Sequence, residues 1–237
     1  MSCSNCDCPF QVIRAENGPF SAAEMECMLD DAVQRVSFSA DEVLFMQGQP
    51  STCLYAVTDG VVKICTHSSD GREQIVGLSS PDRLLVGLQS INDERYAYSA
   101  IASTTVKGCK VNHRTLLARV RDKRDLAMSL IQAVNAQLAH SRALMEVLGQ
   151  KCAAAKIASF ILLMTPKSEH GNCRFALPFS RMELASLLGL SEETVCRLMA
   201  NMKRQGAIYA PRGKIEIRDW DRLHAIADGN VRGRFVA

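Results

Sequence analysis

Hydrophobic and polar positions change period along this chain, and the changes mark its parts. From about Phe38 to Val111, short runs of apolar and polar residues (DEVLF, CLYAVT, VVKICTH, EQIVGL, YSAIAS and VKGCKV) are separated by turn residues, with Gly48, Gly60 and Gly71 between them. Such runs predict strands, and their spacing predicts an antiparallel barrel or double-sheet jelly roll. From Arg114 the period lengthens. Leu130, Val134, Leu138, Met145 and Leu148 recur near one side of a long helix, with Ser141 in the same row. An apolar stripe on a helix this long needs a partner, and the simplest partner is a second copy of the same helix.

A third pattern runs from Pro178 to Ile208, PFSRMELASLLGLSEETVCRLMANMKRQGAI. A short amphipathic helix from Arg181 to Leu188 is expected to stop at Gly189, a residue suited to the left-handed backbone that leaves a helix sharply. Ser191 then caps a second helix. Ala185 and Gly189 are small where two helices cross, and Leu190, Val195 and Leu198 are apolar contacts between the turn and the second helix. Glu192, Glu193, Cys196 and Arg197 remain on its outward face. Arginine can donate two hydrogen bonds to guanine and glutamate can accept from cytosine, so this face suits the major groove of DNA. The segment IYAPRGKIEIRD, with a turn at Pro211 to Gly213, predicts a hairpin wing. Lys203, Arg204, Arg212 and Lys214 put positive charge where phosphates would lie, and Arg181 and Thr194 complete the candidate DNA-contact set.

Composition narrows the picture. The 237 residues carry a formal net charge of +3, too mild to demand nucleic acid by itself, so the DNA expectation rests on where the charges lie. No long uncharged apolar run or leader-like N-terminus is visible, and a cytoplasmic protein without a membrane partner is expected. No Ser-His-Asp set, phosphate loop or paired-carboxylate motif suggests an enzyme. The ten cysteines are many for such a chain. In a reducing compartment they point to metal binding, redox sensing or burial rather than disulfides. Cys3, Cys6 and Cys8 crowd the N-terminus, MSCSNCDCPF. Thiolates are the usual ligands of iron-sulfur clusters, and a cubane takes four. A zinc site or a thiol switch remain alternatives for the same residues. Cys53, Cys65, Cys152 and Cys173 read as small core residues. Cys65 with His67 leaves haem as a further alternative.

The order of parts, with LYAVTDGVVKICTHSSDGREQIVGL in the roll, KIASFILLM after the long helix, and EETVCRLMANMKRQGAI in the reader, resembles the Crp/Fnr family of bacterial transcription regulators from about Phe20 onward. The resemblance implies an α+β fold. An N-terminal β-roll like a cyclic-nucleotide-binding jelly roll (20–113) follows a Cys-rich segment (1–19). A dimerisation helix (114–149) and a C-terminal winged helix-turn-helix (150–237) complete it. It implies a homodimer on palindromic double-stranded DNA, recognition helices about 34 Å apart, and RNA polymerase as a partner if the protein activates. In the family's readers the base-contacting positions match Glu193, Cys196 and Arg197, with Cys196 departing from the usual Ser.

Cyclic-nucleotide members of the family carry a Gly-Glu pair and an Arg-Ser or Arg-Thr pair. Leu85 and Val86, and Tyr96 and Ala97, stand at those places, so a buried cyclic phosphate would lack its counter-charge. The resemblance to oxygen-sensing Fnr proteins implies instead a [4Fe-4S] cluster on Cys3, Cys6, Cys8 and the distant Cys109, although Cys6 and Cys8 are closer together than in that pattern. Cys27 could replace one of the N-terminal three. The acidic residue of the Fnr dimer helix is replaced here by Ser141. From another class, an enzyme carrying a cyclic-nucleotide-like module is the remaining alternative.

Overall fold

A computed structural model describes residues 33–68, 73–79, 85–91, 93–122, 124–165, 173–177, 179–211 and 213–229. Cys3, Cys6, Cys8, Cys27 and Arg212 lie outside the described residues. The chain divides into two compact units between Ala139 and His140.

Among the described residues the first unit holds eight strands: β1 (Val33–Phe38), β2 (Val43–Phe45), β3 (Cys53–Asp59), β4 (Val62–His67), β5 (Glu73–Ser79), β6 (Leu85–Val86), β7 (Ser99–Ala102) and β8 (Val106–Asn112). They form two four-stranded sheets, ordered β1-β8-β3-β6 and β2-β7-β4-β5, with every described pairing antiparallel. Leu44, Phe45, Val57, Val62, Val86, Ala100, Ala102 and Val106, drawn from both sheets, share one buried core, as two facing sheets require. Each run named in the sequence is a strand. The sequence reading missed β1 and β6. β6 is only two residues long and exists because it pairs with Tyr55 and Ala56 of β3, which no local pattern announces.

The outer face of the first sheet is also apolar. Leu54, Ala56, Cys109 and Val111 pack there against Leu116 of helix α1 (His113–Asp122) and Leu126 and Ala133 of helix α2 (Arg124–Gly149). The helix expected from Arg114 is described as α1 and α2, and Lys123 between them lies outside the described residues. Leu130, expected on the outward stripe, instead packs in part against this core. The reason is its spacing: it is four residues from Leu126 and three from Ala133, so all three share a helix face. Met128, Ile131, Val134, Leu138, Met145 and Leu148 of α2 are 37–60% exposed. Ser141 is exposed beside them.

The second unit contains α3 (Ala153–Met164), β9 (Arg174–Ala176), α4 (Arg181–Leu188), α5 (Glu192–Arg204), β10 (Ile208–Tyr209), β11 (Lys214–Ile217) and α6 (Trp220–Ala227). Its three strands form one antiparallel sheet, β10-β11-β9. Phe160, Leu184, Leu188, Val195, Met202, Ile208, Ile215, Ile217 and Leu223 are almost wholly buried and form its apolar interior. No described helix is long and apolar enough to cross a membrane.

Candidate nucleic-acid interface and sensor site

Local hydrogen bonds place α4 and α5. Ser180 caps α4 through its side chain, which accepts from the Glu183 amide at 3.1 Å, while the Glu183 carboxylate accepts from the Ser180 amide at 2.9 Å. This reciprocal pair satisfies two donors that the first turn would otherwise leave open. At the far end Gly189 has φ 64° and ψ 42°, the left-handed conformation expected of it. Lys156 reaches from α3 to donate to the Leu188 carbonyl at 3.3 Å. Two residues beyond the glycine, the Ser191 hydroxyl accepts from the Thr194 amide at 3.2 Å and opens α5.

These caps fix which side of α5 faces outward. Val195, Leu198, Met199 and Met202 are buried, and Ala185 is buried on α4. Glu192, Glu193, Cys196 and Arg197 are exposed, as are Lys203 and Arg204 in the last turn. Thr194 is half-buried, and its hydroxyl receives a hydrogen bond from Ser191 at 2.8 Å. Arg181, half-buried at the start of α4, and Lys214, exposed on β11, line one cleft of about 160 Å³ together with Ser180 and Pro211. The structure therefore brings the acidic and basic residues of α5 to one surface, and Arg181 close to the wing.

The wing has a brace that the sequence reading did not single out. Glu216, 5% exposed, accepts from Arg174 of β9 at 2.5 Å and lies 3.3 Å from Arg218. The hydrogen bond from Arg174 holds the Glu216 carboxyl below its usual range. The Arg218 guanidinium and the Lys203 ammonium lie 4.8 and 5.5 Å from the centre of the Tyr209 ring, close enough for cation-π attraction. An alternating KIEIR was visible in the sequence, but its partner Arg174 lies in a strand that only the folded sheet reveals.

In the first unit the roll interior is filled by its own aromatic side chains. The Phe45 ring stacks on Tyr96 with centroids 3.8 Å apart, and Tyr55 and Tyr98 lie within 5.8 Å of the same ring. The Tyr98 hydroxyl accepts from the Gly87 amide at 2.9 Å. The Tyr96 hydroxyl donates to the Cys53 carbonyl at 2.6 Å and accepts from the Cys53 amide at 3.0 Å. Gly87 is at φ 96°, and a Cβ there would come within 2.9 Å of the Cys53 carbonyl oxygen, so a side chain is excluded. Burial raises the Tyr96 and Tyr98 phenols, and pushes Tyr55 up to about 12. All three stay neutral at ordinary pH. Leu85 and Val86 are buried in β6. Two tyrosines two residues apart, in a chain with only four, were the sequence signal for this plug.

His113, the first residue of α1, is 4% exposed. Its Nδ1 lies 3.3 Å from the Ser51 hydroxyl, which donates its own proton to the Ser90 carbonyl at 2.7 Å. With the Ser51 proton directed at the Ser90 carbonyl, Nδ1 is placed to donate to the Ser51 oxygen, and Nε2 has no hydrogen-bond partner among the described residues. Burial lowers its pKa.

Of the proposed cluster ligands only Cys109 is described. It lies on β8 opposite Arg35 of β1 and Ala56 of β3, and is 2% exposed. A cleft of about 370 Å³ adjoins it, lined also by Arg35, Ser37, Thr58, Lys107 and Gly108. Cys53, Cys65, Cys109, Cys152, Cys173 and Cys196 are not in disulfides; Cys65 and Cys173 are buried, Cys53 half-buried, and Cys152 exposed, contrary to its reading as a core residue. Cys152 immediately precedes α3, where its side chain makes no cap hydrogen bond. Among the described residues no three His, Cys, Asp or Glu side chains are gathered as a metal site.

Two families of known proteins match the two parts of the chain. Residues 155–226 match the Crp-like helix-turn-helix domain, and residues 35–123 match the cyclic nucleotide-binding domain. The chain is 30% identical over 209 residues to the transcriptional activator protein anr of Pseudomonas aeruginosa, covering 86% of this chain and 85% of that one. It is 31% identical over 199 residues to the nitrogen fixation regulation protein FixK of Bradyrhizobium diazoefficiens, covering 82% of each. The solved structure of FixK2 from Bradyrhizobium japonicum superposes with a TM-score of 0.72 at 28% identity, over 82% of this chain and 96% of that chain.

Proposed function

The chain belongs to the Crp/Fnr family of DNA-binding transcription regulators, and on that premise we propose that it is a homodimeric operator-binding protein whose DNA affinity follows oxygen or redox state through a [4Fe-4S] cluster. The observation that carries the DNA reading is the capped helix α5, buried on one side and presenting Glu193 and Arg197 one turn apart on the other. Arg197 donates to a guanine edge and Glu193 accepts from a cytosine, while Arg181, Lys203, Arg204, Arg212 and Lys214 meet phosphates and set the register. Glu192, Thr194 and Cys196 complete the contact surface.

The dimer uses the exposed apolar row of α2, in which Val134, Leu138, Met145 and Leu148 alternate with polar residues and Ser141 lies beside them. A second copy removes these side chains from water; they are already about half buried, so each has roughly half of the 1.5–3 kcal/mol of a fully exposed large residue left to gain. It also couples two readers on one duplex, so loss of dimerisation costs the bivalent advantage.

Cys3, Cys6, Cys8 and Cys109 would hold the cluster. The cleft beside Cys109 supports this fit, because Arg35 and Lys107 line it and suit an anionic thiolate-ligated group. When bound, the cluster supplies an oxygen-labile link between the N-terminal segment and β8. Cys109 shares its apolar layer with Leu116, Leu126 and Ala133, so a change at β8 acts directly on the helices beside it. A cyclic nucleotide is not the signal in this reading, since Tyr96 and Tyr98 already occupy the Cys53 and Gly87 backbone groups.

The test is protein purified without oxygen, examined by visible absorption, iron and sulfide assay and binding to a palindromic duplex across a salt series, before and after air. Four irons per chain, a band that bleaches in air and weakened operator binding are expected. Colourless protein that binds equally in air removes the cluster and leaves the DNA reading. Failure to bind any duplex under either condition overturns the DNA reading.

A further inference from the structure

The outward face of α5 carries two rows of different chemistry. Glu193 and Arg197 make a charged row at i and i+4. Cys196 and Ala200, also four residues apart and both exposed, make an apolar row beside it. Thr194, two residues before Cys196 and so on another side of the helix, adds no hydroxyl to the second row; it is half-buried and its Oγ1 accepts from Ser191 at 2.8 Å. A thiol is a weak donor and a weak acceptor, and alanine is neither. This row is therefore poorly suited to reading a base edge by hydrogen bonds. In the major groove the 5-methyl group of thymine is the apolar feature that distinguishes one base pair from the others.

Resting on the DNA reading above, we infer that Cys196 and Ala200 select a thymine by its methyl group at one position of each operator half-site, next to the pair read by Glu193 and Arg197. The Cys196 sulfur is large and polarizable, so it fills the space against the methyl. Serine at the same place would be smaller and would need a hydrogen-bonding partner. Arg197 and Glu193 supply the strong polar contacts, and the apolar row adds discrimination at a base pair they do not reach.

The experiment begins by selecting duplexes from a randomised palindromic pool with full-length protein, once without oxygen and once in air. Each thymine of the selected half-site is then replaced by deoxyuridine, which removes only the methyl. Burial of one methyl corresponds to about a four-fold change in affinity, so one symmetric position is expected to weaken binding by about four-fold per half-site, and the others not. In Cys196→Ser the ratio of affinities for thymine and deoxyuridine at that position is expected to fall to about one, whatever the change in overall affinity. Indifference to deoxyuridine at every position, with specific binding intact, overturns this inference and leaves the DNA reading standing. Discrimination that persists unchanged in both Cys196→Ser and Ala200→Gly assigns the methyl to another residue and also overturns it. If folded protein selects no sequence in either condition, the DNA reading fails and this inference with it.

Discussion

Replacing Tyr98 by phenylalanine removes one oxygen and leaves a ring that fits the same space. The Tyr98 hydroxyl accepts from the Gly87 amide at 2.9 Å, and Tyr98 is only 5% exposed. Without it the N–H of the buried Gly87 has lost its acceptor, at a cost of about 1–3 kcal/mol. Tyr96→Phe is the stricter case, because the Tyr96 hydroxyl serves both the amide and the carbonyl of Cys53. Two orphaned groups cost about 2–6 kcal/mol. The two substitutions lie in one stack around Phe45, so their effects will not simply add. The assay is urea unfolding followed by the near-ultraviolet circular dichroism of the tyrosines. Trp220, the one tryptophan and a residue of the second unit, reports on the reader in the same samples. Hydrogen exchange at the Gly87 amide gives a local measure. Tyr98→Phe within about 0.3 kcal/mol of the parent protein, the scatter of independent sites, with unchanged Gly87 exchange, would refute the reasoning that these hydroxyls stand in for a ligand inside the roll.

Two further outcomes follow from side chains elsewhere. Leu138→Glu puts a charge into the exposed apolar row of α2, where Leu138 is 46% exposed. Sedimentation should show dissociation to folded monomers, and a dimer of undiminished affinity would sink the interface assignment. His113 is held neutral by burial, its folded pKa lying below the ordinary 6.5. The unfolded chain then binds the proton first as pH falls, so stability is complete above about 6.5 and is lost from there down to the folded pKa. His113→Gln should flatten that part of the stability profile between pH 7.5 and 5.5, measured by urea midpoints. A profile parallel to that of the parent protein would show that His113 does not titrate with unfolding.

What the sequence determined by itself was the local grammar of the reader. Ser180, Gly189 and Ser191 set helix ends through contacts no more than five residues away, so the limits of α4 and the start of α5 were legible without a tertiary partner. The strand runs of the roll were legible for a similar reason, since alternation records which face will be buried. Tertiary structure decided the rest. Pairing with Tyr55 and Ala56 creates β6, and the Arg174 to Glu216 contact braces a wing across 42 residues. Periodicity puts Leu130 with the outward stripe, because it gives an apolar side but not the surface that claims it. The core of β3 and β8 claimed it. The tyrosine plug belongs to the same class. Tyr96 and Cys53 are 43 residues apart, and only the closing of two sheets brings that hydroxyl to that backbone. Capping and alternation are written in neighbouring residues, whereas the choice of partner across a core depends on the whole chain having already found its register.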